Sequence, residues 1–138
     1  MLEIKKSQIP RSGQGLWTKE DIKKGDVVCE YTGDKITWKE CTRRNDTQEN
    51  HGGYYFFINA RNCVDAQYDL TSMGRYANDA AGYTRVAGLR NNCKYEVRKG
   101  KPYIIATRNI KEGSEIFVSY GKSYWKTMEA AFKKLAAE

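Results

Sequence analysis

Histidine and proline are scarce in this chain, and its cysteines are not paired in sequence. There is one histidine (His51), there are two prolines, and the four cysteines are Cys29, Cys41, Cys63 and Cys93. Zinc sites need clustered thiolates and imidazoles, so this spacing predicts no metal centre. Nothing indicates secretion, so we expect no disulfides. Cys29 and Cys63 lie in apolar strand patterns and are interpreted as small core residues.

Long apolar runs are also missing. No stretch approaches about 18 apolar residues, so no membrane span is predicted, and the first residues do not have the pattern of a signal peptide. With 138 residues and no linker-like segment, we expect one domain over residues 1–138. We expect it to be intracellular, and nuclear or chromatin-associated in a eukaryotic or viral host but cytoplasmic in a bacterium.

Negative charge is in the minority. Lys and Arg number 24 against 17 Asp and Glu, which leaves a net charge of +7. A solvated basic surface explains this excess, and non-specific DNA contact is the other explanation. The basic residues are dispersed along the chain rather than gathered on one element, so a nucleic-acid-binding module is kept only as an alternative.

What the chain does contain is a series of short strand-like runs separated by glycine-containing turns. We predict strands at residues 2–5, 27–31, 54–59, 62–66, 94–98, 103–107 and 115–119. Thr37 and Glu40 form a capping box for a helix to about Arg44. Ser123 caps a second helix, at about 124–136, and a short turn is expected over 70–77. The fold class is therefore mainly β with short helices.

Several motifs carry the chemistry. Near the start is Gly13-Gln14-Gly15, where missing side chains allow the backbone to approach a ligand closely. A plain surface turn is the alternative, and no βαβ unit follows, which excludes a dinucleotide-binding fold. The others are Glu30-Tyr31-Thr32-Gly33, the segment Gly74-Arg75-Tyr76-Ala77-Asn78-Asp79, and Val118-Ser119-Tyr120-Gly121 followed by Trp125.

In this order, from about residue 4 to residue 125, the motifs resemble the SET domain, the fold of S-adenosylmethionine-dependent protein lysine methyltransferases. The pattern is most similar to the branch of histone lysine monomethyltransferases. The resemblance implies a β-clip-like fold of small curved sheets, in which the Asn78 and Tyr120 segments meet in a pseudoknot-like crossing. The cysteine-rich zinc modules that flank many relatives are not seen, so the chain resembles a minimal stand-alone SET domain.

The resemblance also implies the cofactor site. S-adenosylmethionine would be contacted by Ser12, Gly13, Gln14, Gly15, Tyr54, Arg75, Asn78, Asp79, Tyr120 and Trp125. Asp79 stands where the family has histidine, whose backbone contacts the adenine, so the contact survives while the imidazole's own hydrogen bonds are lost. Trp125 would cover the adenine, with a core anchor for the last helix as its alternative.

Tyr120, Tyr31 and Tyr54 are the catalytic candidates that the resemblance implies. Tyr31 and Tyr54 would line the channel for the substrate lysine, and strand alternation sends Tyr55 the other way. Phe56 and Phe57 are interpreted as core residues.

A Tyr120 hydroxyl at the inner end of the channel would orient the neutral amine and the moving methyl group, so no strong base is required. Val118 holds the position where relatives carry a ring that limits the number of methyl groups added. A valine supplies neither ring nor hydroxyl and gives no prediction of that number.

The function predicted is S-adenosylmethionine-dependent methylation of a protein lysine, most plausibly in a basic histone-like tail. A catalytically silent SET-like module that binds peptide or cofactor is the second alternative, and Asp79 favours it. Because a basic enzyme does not attract a basic peptide by net charge, Glu30, Asp34 or Asp65 would offset the repulsion locally. The insertion at about 80–91 is interpreted as a partner-specific surface loop.

Overall fold

A computed structural model of the chain describes residues 1–10, 12–47, 55–81 and 86–120. Within those ranges the chain forms short strands, one α-helix and a single 3-10 turn at Gly74–Tyr76. The elements are β1 (Leu2–Lys6), β2 (Gln14–Thr18), β3 (Val27–Glu30), β4 (Asp34–Ile36), α1 (Trp38–Thr47), β5 (Tyr55–Asn59), β6 (Asn62–Asp65), β7 (Cys93–Arg98), β8 (Lys101–Ala106) and β9 (Glu115–Ile116). The mainly β fold class is confirmed.

The strands of the described ranges form three antiparallel sheets of three strands each. Their orders are β1-β2-β9, β3-β8-β7 and β4-β6-β5. In each sheet the strand pairs are antiparallel, with a register shift in the β3–β8 and β5–β6 pairs. Small sheets of this kind cannot each bury a full core. The β1-β2-β9 and β3-β8-β7 sheets share one, in which Leu16, Ile104, Ile116 and Val118 are fully buried. Val64 of the third sheet packs in a separate cluster.

Two parallel bridges tie the end of the chain to its middle. Phe117 pairs with Asn78, and Val118 pairs with Cys93. The Val118 N–H donates to the Asn78 carbonyl at 2.8 Å, and the Cys93 N–H donates to the Phe117 carbonyl at 2.9 Å. The segment after β9 therefore runs between two earlier segments, which confirms the predicted crossing.

Helix α1 begins where the capping box predicts. The Glu40 N–H donates to the Thr37 hydroxyl at 3.2 Å, which satisfies one of the free donors at the helix start. The Glu40 carboxylate turns to Arg43 and Arg44, and these two guanidinium groups lower its pKa to about 2. The helix ends at Thr47 rather than at Arg44. The second predicted helix lies outside the described residues.

Two strands were not predicted. Gly13-Gln14-Gly15 resembles a turn, whereas the structure places Gln14–Thr18 in β2, between β1 and β9. The three-residue strand β4 was also missed; Gly33, which precedes it, packs so closely on the Asp65 carbonyl that a Cβ would lie 2.5 Å from that oxygen. No helix in the described part of the chain is long and apolar enough to cross a membrane.

The cysteines are free thiols. Cys63 and Cys93 are buried, and Cys29 packs against the core formed around Leu16. Burial raises the pKa of the Cys29 and Cys93 thiols to about 12. The core interpretation of Cys29 and Cys63 agrees with these positions. In the described ranges, no group of three or more His, Cys, Asp or Glu residues could hold a metal ion.

Candidate active site

Tyr120 is held at both ends by the segment that it crosses. Its hydroxyl donates to the carbonyl oxygen of Ala77, and its backbone N–H donates to the Asp79 carboxylate at 2.9 Å. The parallel pairing of Phe117 with Asn78 brings these groups together, although some forty residues of chain separate them. The half-buried Tyr120 side chain is therefore fixed relative to Asn78, which the sequence analysis placed in the same site.

The Tyr120 ring stacks on that of Tyr95. The ring centres are 6.5 Å apart and the planes are inclined by 18°. The register explains this contact: Val118 pairs in parallel with Cys93, so the residues two positions further along, Tyr120 and Tyr95, lie side by side. Sequence reasoning missed Tyr95. Its signal was the alternation of Cys93 and Tyr95 in β7, which places Tyr95 on the face of a buried cysteine.

Tyr31 completes a group of aromatic rings. It is 5% exposed, and its ring meets that of Tyr95 edge-on, with centres 6.1 Å apart. The Phe56 ring, from β5, has its centre 5.1 Å from that of Tyr95 and 6.0 Å from that of Tyr31. A Cβ at Gly74 would come within 3.1 Å of the Tyr31 ring, so the glycine makes room for it. Strands β5 and β7, the residue after β3 and the segment after β9 thus form one aromatic cluster, Tyr31, Phe56, Tyr95 and Tyr120.

The environment of the cluster is apolar. Burial, followed by the proximity of Tyr120 and Tyr31, raises the pKa of the Tyr95 phenol well above its ordinary value. The Tyr95 hydroxyl therefore remains protonated throughout the neutral range. Enclosure of this kind penalises any charge that enters without a partner.

The opposite face of β5 has a different role. Tyr55 and Phe57 pack against Trp38 of helix α1, with ring centres 5.7 Å and 5.0 Å apart. Tyr55 does point away from the Tyr31 side, as alternation predicts. Phe57, interpreted as a core residue, is 49% exposed because its face of the strand is covered only by the helix edge. Tyr54 and Trp125 lie outside the described residues, so their predicted roles stay predictions.

The glycine turn lies against the Asn78 segment. The Asn78 side-chain amide donates to the Gln14 carbonyl at 3.0 Å. Gly13 has a φ of +65°, which favours glycine, and a Cβ there would meet open space. Among the described residues, the second amide N–H and the amide oxygen of Asn78 have no hydrogen-bond partner. The turn and Asn78 thus form an open polar ledge beside the Tyr120 segment.

Gly15 is required for a reason that the sequence does not show. A Cβ there would lie 2.3 Å from a Glu115 carboxylate oxygen. The buried Glu115 accepts from the Ser7 hydroxyl at 2.6 Å and from the Gln8 N–H at 2.8 Å. The missing side chain of Gly15 thus makes room for a protein carboxylate that holds the preceding loop, and the predicted contact of Gly15 with the cofactor stays a prediction.

Two further groups of predicted site residues have partners within the protein. The Arg75 guanidinium donates to the carbonyls of Ala66 and Gln67 at 2.9 and 3.3 Å, so it braces the chain after β6, and its cofactor role stays a prediction. Asp34 and Asp65 were offered as local acids for a basic peptide. Instead, both accept from Arg44 at 3.1 Å, so their charge is already matched within the protein.

Comparison with known proteins agrees with this geometry. The SET domain family profile matches residues 13–121. N-lysine methyltransferase KMT5A of Xenopus tropicalis is 29% identical over 136 residues, covering 92% of this chain and 38% of the relative. Histone-lysine N-methyltransferase ASHH1 of Arabidopsis thaliana is 32% identical over 123 residues, covering 82% of this chain and 23% of the relative. The chain thus spans well under half of either protein.

Solved structures give the same family. A structure of ctPRC2 with H3K27me3 and H3K27M matches with a TM-score of 0.71 and 28% identity, covering 88% of this chain and 14% of that one. Another, autoinhibited ctPRC2 bound to S-adenosylmethionine, matches with a TM-score of 0.71 and 27% identity, covering 96% of this chain and 16% of that one. On the family match, the crossing and these neighbours, this chain belongs to the SET domain family.

Proposed function

We propose that this chain is an S-adenosylmethionine-dependent protein lysine N-methyltransferase. The observation that carries the proposal is the pairing of Asn78 with Phe117, which sets the Tyr120 ring and hydroxyl beside the open polar ledge formed by Asn78 and the glycine turn. A methyl donor and a lysine must meet in line, and that requires a binding surface and an orienting group side by side. Relatives named as lysine methyltransferases support the same reaction.

The residues around Asn78 fit the cofactor. The Asn78 amide groups that have no partner among the described residues, and the backbone of the glycine turn, are polar and neutral, which suits the amino acid end of S-adenosylmethionine. Ser12, Gly13, Gln14, Gly15, Asn78 and the Asp79 backbone would hold it, with Arg75, Tyr54, Tyr120 and Trp125 as further proposed contacts. When bound, the cofactor supplies an electrophilic methyl group on a positively charged sulfur.

The aromatic cluster would prepare the lysine. A lysine side chain is protonated in water, with a pKa near about 10.4, and only the neutral amine is a nucleophile. The rings of Tyr31, Phe56 and Tyr95 exclude water, and desolvation lowers the pKa of an entering ammonium. The proton leaves to solvent before the amine is enclosed, so no residue of the cluster has to act as a strong base.

Tyr120 would orient the amine by accepting a hydrogen bond. Its hydroxyl proton is donated to the Ala77 carbonyl, so the oxygen would meet an N–H of the substrate as an acceptor. An acceptor at this point would fix the direction of the nitrogen lone pair. Positioned groups of this kind contribute a large part of an enzyme's rate acceleration. Tyr31 and, by family resemblance, Tyr54 would form the channel walls.

For the substrate we propose a lysine in a basic, histone-like tail, and with it a chromatin-associated role. The support is that several relatives are named histone-lysine methyltransferases and that one structural neighbour is a complex with H3K27me3 and H3K27M. Since Asp34 and Asp65 are engaged by Arg44, recognition would depend on backbone and apolar contacts more than on these acids.

The test is a methyl-transfer screen. The purified chain is incubated with radiolabelled S-adenosylmethionine and, separately, with core histones, nucleosomes and a proteome extract, and labelled bands are mapped by mass spectrometry. The proposal expects label on the ε-nitrogen of a lysine, and loss of label when that lysine is replaced by arginine. The Tyr120→Phe variant serves as the control for adventitious methylation.

Two results would favour the alternatives. Cofactor binding by calorimetry without label in any protein would identify a silent SET-like module. Salt-dependent DNA binding without methyl transfer would favour the nucleic-acid reading of the +7 charge.

A further inference from the structure

The carboxylate of Asp79 lies at the centre of the crossing. It is 5% exposed and joins three parts of the chain. One oxygen accepts from the Tyr120 N–H at 2.9 Å. The other accepts from the Ala81 N–H and from the Asn91 side-chain amide, each at 2.8 Å. Three N–H donors thus converge on one buried carboxylate.

Asn91 makes two hydrogen bonds beside Asp79. Its amide oxygen accepts from the Ala80 N–H at 2.8 Å while its NH₂ group donates to Asp79, so the two side chains bracket the start of the insertion. Leu89, two residues earlier, packs on a small core of Ile9, Ala80 and Phe117. The far end of the insertion is therefore anchored beside the crossing, where a surface loop with only a partner-binding role would need no such anchor.

We propose that Asp79, supported by Asn91, is a positioning residue for Tyr120, and that the end of the insertion serves to deliver Asn91 to it. The inference rests on the proposed function, in which the Tyr120 hydroxyl orients the amine. Asp79 holds the backbone end of Tyr120 and the Ala77 carbonyl holds the hydroxyl, so the side chain is fixed between two neighbouring points of one segment.

The chemistry of the donors explains why an acid stands at this position. Two carboxylate oxygens offer about four lone pairs and can accept three N–H groups at once. A neutral imidazole offers one acceptor nitrogen, and its own N–H would face a donor. An asparagine amide offers one oxygen, and its NH₂ group would also face N–H donors. Only a carboxylate satisfies this site, so Asp79 and Asn91 form a unit, in place of the histidine expected from the family pattern.

The first test is kinetic and uses Asp79→Asn, which preserves size. The matched control is Asp26→Asn, where an exposed carboxylate also accepts a backbone N–H, that of Lys23. We expect Asp79→Asn to lower kcat about 10- to 100-fold, the range of a misplaced reacting geometry, with cofactor Kd and substrate KM within about twofold. Asp26→Asn should behave as wild type.

A double-mutant cycle separates positioning from general damage. If Asp79 acts through the Tyr120 hydroxyl, then Asp79→Asn has little further effect on kcat in a Tyr120→Phe background. Full additivity of the two losses would overturn the proposal, as would a kcat for Asp79→Asn equal to that of the control. A wild-type chain that transfers no methyl group would instead reject the proposed function.

The second test needs no activity and survives poor folding of the first variant. Asn91→Ala removes one donor to Asp79 and leaves the carboxylate in place. By amide hydrogen exchange, we expect the Tyr120 N–H to exchange at least about tenfold faster in Asn91→Ala than in wild type, with strand β8 amides unchanged. Unchanged protection of the Tyr120 N–H in Asn91→Ala would overturn the proposal.

Discussion

The Tyr120 hydroxyl donates a hydrogen bond to the carbonyl oxygen of Ala77, 43 residues earlier in the chain. This bond fixes the ring and also decides what the oxygen can do. Because its proton is engaged, the oxygen would meet a substrate as an acceptor. The geometry therefore matches a group that orients a neutral amine, and it does not require Tyr120 to ionise.

Asn78→Ala is expected to weaken cofactor binding. The substitution removes the amide groups open to a ligand and the bond that aligns the Gln14 carbonyl. Loss of about one hydrogen bond of this kind costs roughly 1.4 kcal/mol, a tenfold rise in Kd. Calorimetric titration of S-adenosylmethionine measures it, and Asn109→Ala, which removes an exposed asparagine that accepts from the Lys24 N–H, is the control. Equal affinity of wild type and Asn78→Ala would remove Asn78 from the site.

Arg44→Ala should destabilise the fold, whereas its neighbour Arg43→Ala should not. Arg44 joins helix α1 to Asp34 and to Asp65, whose side chain is 6% exposed. Removing it leaves the Asp65 carboxylate short of a partner, at a cost of about 1–3 kcal/mol. The Arg43 pair with Glu40 is at the surface, where ion pairs contribute little. Urea unfolding of both variants checks this, and equal midpoints would contradict the anchoring role.

Stability should fall in alkali because of two thiols. Burial raises the pKa of the Cys29 and Cys93 thiols from the ordinary value of 9.0 to about 12. Above pH 9 an unfolded chain releases these protons while the folded chain keeps them, so the folded state loses its advantage as pH rises towards 12. Each thiol contributes a slope of about −1.4 kcal/mol per pH unit in that window.

The measurement is the free energy of unfolding at about pH 8 and about pH 10. The double variant Cys29→Ala, Cys93→Ala should lose stability less steeply with pH than wild type, even if it is less stable at both values. Identical slopes would show that the thiols are not the cause.

The sequence predicted most of the strands because apolar runs between glycine turns are local signals. The strand β2 was hidden because Gly15 resembles a turn residue, and its true constraint is Glu115, which lies 100 positions away in the numbering. The short β4 follows a glycine whose space is limited by Asp65. In both cases a distant contact, and not local propensity, decides the structure.

In the site, motif order located Tyr31, Asn78 and Tyr120, and the structure brings their segments together. Tyr95 was missed because a single aromatic in the polar run after Cys93 has no motif, and only the parallel register with Val118 reveals it. The bonds of Asp79 were equally hidden, since the sequence shows that histidine is replaced but not which N–H groups the carboxylate accepts.

The proposed role of the Tyr120 hydroxyl, to orient the substrate amine, is tested most directly by methyl transfer in Tyr120→Phe at saturating cofactor and substrate. We expect kcat to fall about 10²-fold or more while the Kd for S-adenosylmethionine changes little. Loss of the bond to Ala77 should lower the free energy of unfolding by only about 1 kcal/mol. Near-normal turnover in Tyr120→Phe would show that the tyrosine is a packing residue and not an orienting group.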